Sequence, residues 1–127
     1  MPANPVRHSL ACLLAVCASA CLAAQVACEV DYGGETRRIS AAPTSTPYTV
    51  PTVQVGSYFL FRLVVERDTA VKVYVYADID KIGPVPLHQA TFPWPEVNQA
   101  RHGFTGLHFV YEPVRDGELK YWCEVRP

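Results

Sequence analysis

The sequence has almost no excess of charge of either sign. Eleven Lys and Arg residues nearly balance twelve Asp and Glu residues, and the formal net charge is −1 with neutral histidines. Neither sign forms a block, and no internal repeat or low-complexity tract occurs. Nucleic acids and anionic membrane surfaces are bound by concentrated positive faces, so this balance argues against both as partners.

Long hydrophobic runs are also lacking, apart from the uncharged residues 10–24 that follow Arg7. A basic start, an apolar core of about 7–15 residues and a small-residue end are typical of a secretory signal peptide. A membrane-spanning helix needs about 20 apolar residues, so this stretch is too short to be one. We therefore expect residues 1–24 to be a signal peptide and 25–127 to be a single exported domain in the periplasm or medium. The alternative, a buried N-terminal helix, is disfavoured by the small-residue end.

The cleavage point has two candidates. Cleavage after Ala24 places Leu22 where the peptidase prefers a small residue, whereas cleavage after Ala20 leaves Cys21 at the new N-terminus. An acylated Cys21 would anchor the protein to a membrane. We disfavour that lipid anchor because Ala18 stands where such sites carry a large apolar residue.

Cysteine is scarce beyond the expected signal peptide. After cleavage following Ala24, only Cys28 and Cys123 remain. An even pair in an exported chain predicts a disulfide, because the compartments it enters are oxidising. The bridge would close a loop spanning nearly the whole domain, which the chain-entropy model values at about 4–5 kcal/mol as an upper figure. Two free thiols or a metal pair is the alternative, disfavoured because no His or other Cys lies nearby at ligand spacing.

Sustained helical periodicity is absent after residue 24, and apolar residues recur at every second position, the spacing of half-buried strands. Segments with this pattern are 26–32, 57–66, 70–77, 107–114 and 118–125, and the segment 35–40, in which only Ile39 is apolar, is expected to be a short edge strand. Turn signals separate them, with the strongest at Asp116-Gly117. The sequence predicts an all-β fold, a small antiparallel β-sandwich of six to seven strands, immunoglobulin-like, with a small closed barrel as the alternative. Cys28 and Cys123 lie on the apolar faces of the first and last strands, which the disulfide would join.

Regular periodicity fails in the proline-rich segment 78–101. We expect a long irregular connection there, and such connections often carry function. His88 lies in this segment and is the histidine for which a functional role is hardest to exclude.

Recognised catalytic and metal-binding motifs are missing. No two of His88, His102 and His108 lie three to five residues apart, as a compact zinc motif requires, and no G-x-S-x-G motif occurs. His108 is expected on the surface, opposite core-facing Leu107 and Phe109. A small sandwich also has little room for a deep pocket. We therefore expect no catalytic residue, no metal and no cofactor.

Aromatic side chains provide the better indication of function. Tyr74 and Tyr76 alternate with core-facing valines, Trp122 opposes the core face of its strand, and Trp94 lies between two prolines. Exposed Tyr and Trp mark interaction surfaces, although such rings can equally cover the flank of a sandwich. With His88 these residues are the predicted binding residues of a non-catalytic module that binds an envelope protein partner. Carbohydrate or small-ligand binding is the alternative, and a hydrolase using His88 is a distant third.

Overall fold

Eight strands form two antiparallel sheets in the computed structural model, which describes residues 2–5, 24–94, 97–99 and 101–126. The strands are β1 Gln25–Tyr32, β2 Glu35–Ala41, β3 Val53–Val55, β4 Phe59–Glu66, β5 Ala70–Ile79, β6 Gly83–Pro93, β7 His108–Tyr111 and β8 Glu118–Arg126. One 3-10 turn covers Pro47–Thr49. The predicted signal peptide lies mostly outside the described residues. Within the described ranges, no helix has the length and apolarity needed to cross a membrane.

The two sheets have the orders β2-β1-β8-β7 and β3-β4-β5-β6, here called the first and second sheets. A small antiparallel β-sandwich is therefore confirmed. The strands follow one another around the sandwich in chain order, without the Greek-key connections of immunoglobulin domains. The chain crosses between sheets at β2–β3 and at β6–β7, so the edge strands β6 and β7 lie on the same side of the molecule.

The core is formed by the alternate residues that the sequence pattern indicates. The inward residues of β4 are Phe59, Phe61, Leu63 and Val65, and those of β5 are Val71, Val73, Val75 and Ala77. They face Val26, Cys28 and Val30 of β1 and Leu119, Tyr121 and Cys123 of β8. β4 lies between β3 and β5 and is therefore an interior strand of its sheet.

The predicted disulfide is confirmed between Cys28 and Cys123. The two residues are directly opposite each other in the β1–β8 pair, with their Cα atoms 4.0 Å apart, and both are fully buried. The bridge therefore ties the first strand to the last inside one sheet.

The expectation of an irregular segment at 78–101 is wrong, because much of it is the eleven-residue strand β6. Proline can occupy an edge strand, where the missing N–H breaks no central ladder. A bulge opposite Val75 and Tyr76 leaves Leu87 as the extra residue of β6. The bulge thereby decides which of the following residues point inward. His88 consequently lies opposite the fully buried Val75 and faces the interior.

Candidate functional site

Strand β7 turns its more apolar side outward. Leu107, Phe109 and Tyr111 are 37%, 46% and 58% exposed, whereas Val110 is buried and His108 is half-buried. The expectation that Leu107 and Phe109 face the core, with His108 on the surface, is therefore wrong. We call Leu107, Phe109 and Tyr111 the β7 stripe.

Specific partners hold the polar residues of this strand inside. The ring of His108 stacks on Tyr121 with centroids 5.0 Å apart, and its Nε2–H donates to the carbonyl oxygen of Thr105 at 3.0 Å. Glu112, just after β7, is only 3% exposed and accepts a hydrogen bond from Arg115 Nε at 2.5 Å. The interior polar groups are thus satisfied within the chain, which permits the apolar residues to face outward.

The surroundings of the β7 stripe combine apolar and charged groups. In the β7–β8 register, Phe109 lies opposite Lys120 and Tyr111 opposite Glu118. Trp122 lies further along β8 and is half-buried, with its ring 6.0 Å from that of His102. The outer face of the first sheet therefore carries an exposed apolar edge bordered by one positive and one negative side chain.

A cluster of rings closes the side of the sandwich beneath this stripe. His88 Nε2 and the hydroxyl of the buried Tyr121 are hydrogen-bonded at 2.6 Å, and the His88 and His108 rings are 5.8 Å apart. Phe92 contacts His108 edge-on, with centroids 5.6 Å apart. Burial, and then the facing His108, lower the pKa of His88 below its ordinary value, and burial raises the pKa of Tyr121. The cluster joins β6 of the second sheet to β7 and β8 of the first.

The lowered pKa of His88 predicts a loss of stability at mildly acidic pH. The unfolded chain, with an ordinary histidine pKa near 6.5, binds a proton that the folded state resists, so stability is greatest above about pH 6.5 and falls as pH drops below it. Urea unfolding between about pH 7.5 and 5 should show this slope, and His88→Gln should flatten it. His102→Gln, outside the ring cluster, is the matched control for the loss of a histidine. Equal slopes in the wild type and His88→Gln would contradict the assignment.

Tyr74 and Tyr76 lie side by side on the outer face of the second sheet. Their rings stack with centroids 6.2 Å apart, and the Arg62 guanidinium carbon lies 5.1 Å from the centroid of Tyr74. Arg62 also donates to the carbonyl oxygens of Val50 and Pro47, at 2.8 Å and 2.6 Å. The Tyr74 ring is therefore already packed within its own sheet.

Trp94 lies at the end of β6 and packs partly against the core. With Ala42, Pro43, Arg67 and Asp68 it lines a hollow of about 460 Å³. The hollow is open to solvent and is bordered by the turn between β4 and β5.

The structure does not bring the five predicted binding residues into one site. Tyr74 and Tyr76 share the second sheet's outer face, Trp122 lies on the first sheet's outer face, His88 faces the interior and Trp94 lies at one end. The sequence pattern does not reveal the β7 stripe, because the more apolar set of residues in a strand is expected to face the core. No local signal indicates the inversion, because His108 and Glu112 share a phase with Val110 and make that face the more polar one.

No group of three or more His, Cys, Asp or Glu side chains is arranged to hold a metal ion among the residues that the structure describes. Comparisons with protein families, with curated proteins and with solved structures find no match to this chain.

Proposed function

We propose that this protein is an exported, non-catalytic β-sandwich that binds a protein partner, acting as a binding or assembly module in the cell envelope. The observation that carries the proposal is the β7 stripe, in which Leu107, Phe109 and Tyr111 project from an edge strand into solvent. Contiguous exposed apolar residues with a polar border are typical of protein interaction sites.

The inverted phase of β7 strengthens this argument. Turning the strand over would bury Phe109 and release His108 and Glu112 to water, yet the fold holds the polar pair inside through Tyr121 and Arg115. Exposure of Phe109 is therefore built into the tertiary structure. Phe109 is 46% exposed, so a partner that covers the rest of the ring would gain roughly half of the about 1.5–3 kcal/mol that full burial of a large apolar side chain is worth.

The N-terminal pattern and the disulfide support the location. A basic residue followed by an uncharged apolar stretch is typical of an export signal, and the Cys28–Cys123 bridge suits an oxidising compartment. We accordingly place the working protein in the periplasm or the external medium.

Carbohydrate binding on the aromatic residues remains the alternative, but the geometry favours a protein partner. Sugar stacking needs a free ring face, and Tyr74 is packed by Tyr76 and Arg62. Trp94 is partly buried against the core.

Phe109→Asp tests the proposal directly. The purified protein, immobilised and exposed to envelope extract, should retain a partner protein. Phe109→Asp should bind this partner with an affinity lower by at least about tenfold, the effect of losing a contact worth about 1.4 kcal/mol. Tyr48→Asp is the matched control, because Tyr48 is 96% exposed and lies in the 3-10 turn, away from β7. The captured protein is then purified and titrated against the wild type and both variants. Equal affinity for the wild type and Phe109→Asp would refute a role for the stripe.

A further inference from the structure

We infer that the partner bound at β7 is a second copy of this chain, paired antiparallel through the two β7 edges. This inference rests on the proposed function and names the partner of the same surface. Edge-to-edge pairing would extend the first sheet into one continuous sheet of eight strands, in the order β2-β1-β8-β7 followed by the same strands reversed.

The other three edge strands carry features that block pairing. β2 exposes Arg37 and Arg38, and Arg37 donates to the carbonyl oxygen of Gln54, which occupies the seam between β2 and β3. β3 itself has three residues. β6 contains Pro84, Pro86 and Pro93, which cannot donate to an added strand. Charge, short length and proline are the means by which natural sheets protect their edges.

β7 is also short, with four residues, but it has neither charge nor proline to protect it. Residues 102–111 contain no Asp, Glu, Lys, Arg or Pro. β8 pairs with one side of β7, and within the described part of the chain no strand pairs with the other side. A neutral edge strand with unpaired backbone groups and apolar side chains is a template for another strand.

The arrangement of the β7 stripe is self-complementary under a two-fold axis. Its three residues are spaced by two, so they share one face with Phe109 at the centre. An axis through Phe109 sets this residue opposite its own copy and Leu107 opposite Tyr111 of the second chain. Every same-face pair across the new interface is then apolar or aromatic, which is a favourable cross-strand combination.

The charges near the stripe do not oppose this pairing. Lys120 and Glu118 lie on β8, one strand back from the edge. With strands about 4.7–4.9 Å apart, each is roughly two strand spacings from the copy's β7. Arg115 is occupied by Glu112 of its own chain. Since β7 has only four residues, the pairing is short, and we expect a dimer that dissociates on dilution.

Disulfide cross-linking tests both the partner and the register. Directly opposite residues of an antiparallel pair come close enough for a bridge, as Cys28 and Cys123 do within this chain. Phe109→Cys should therefore form a covalent dimer under mild oxidation. Leu107→Cys and Tyr111→Cys should cross-link when mixed, and much less when either is alone. Tyr48→Cys is the control for random collision and should stay monomeric.

Sedimentation equilibrium supplies the second measurement. The wild type should shift from monomer to dimer as concentration rises, and Phe109→Asp should remain monomeric while keeping the wild-type far-UV circular dichroism.

A wild type that is monomeric throughout, or Phe109→Cys cross-linking no faster than Tyr48→Cys, overturns the self-pairing. If capture of a different protein still depends on Phe109, that result leaves the proposed function standing. If the protein is dimeric but Phe109→Asp has no effect on assembly, the pairing through β7 is refuted, and the proposed function fails as well only if capture from envelope extract is also independent of Phe109.

Discussion

Replacing Cys28 and Cys123 together by alanine should lower the free energy of unfolding by up to about 4–5 kcal/mol. The bridge closes a loop with a sequence separation of 95, and removing it restores the conformational freedom of nearly the whole domain in the unfolded state. Small domains have a net stability of about 5–15 kcal/mol, so the variant would be close to its unfolding threshold at 37 °C. Urea unfolding followed by fluorescence gives the value.

Reduction of the wild type provides the matched control for this experiment. Wild type unfolded in the presence of reductant should show the same loss as the double alanine variant, because both remove the same cross-link. The variant itself should be insensitive to reductant. A loss below about 1 kcal/mol in both measurements would show that the bridge contributes little, contrary to the loop-closure argument.

Tyr121→Ala should cost about 3–5 kcal/mol, the range for removing a large aromatic side chain from a core. Tyr121 is fully buried, packs edge-on against Phe61 with centroids 5.5 Å apart, and stacks on His108. Its hydroxyl is also hydrogen-bonded to His88. The truncation therefore leaves a cavity and an unpartnered imidazole at the junction of the two sheets. Equilibrium urea unfolding measures the loss.

Trp122→Ala is the matched control for Tyr121→Ala. It removes a larger ring from the next residue, but this ring is half-buried on the outer face of the same strand, against His102. We expect a clearly smaller loss of stability than for Tyr121→Ala. A loss of equal size at both positions would contradict the assignment of Tyr121 to the core and Trp122 to the outer face.

Much of the sandwich could be predicted from local pattern. The alternation in β1, β5 and β8 correctly identified their buried faces, including both cysteines, because each has one face much more apolar than the other. β6 was missed because proline argues against a central strand while an edge strand accepts it. β3, with three residues, is too short for periodicity to register.

The candidate site was predicted less well, since it depends on which strands lie at the edges. Tyr74 and Tyr76 do share an outer face, as their alternation with valine predicts. Arg62 of β4 packs on the Tyr74 ring and is held by a carbonyl oxygen in the loop before β3. No local sequence pattern reveals this contact. The position of His88 depends on a bulge opposite Val75, and a one-residue shift reverses every side chain beyond it.

The sequence by itself determined the strand periodicity, the disulfide partners and the separation of the chain into hairpins, because these follow from side-chain alternation and turn residues. Only the tertiary structure decided which side of β7 faces inward. Period two says which residues share a face, but not which face is buried. In β7 that choice was made by Tyr121, which stacks on His108, and by Arg115, which pairs with Glu112, and it left Phe109 exposed at the edge of the sheet.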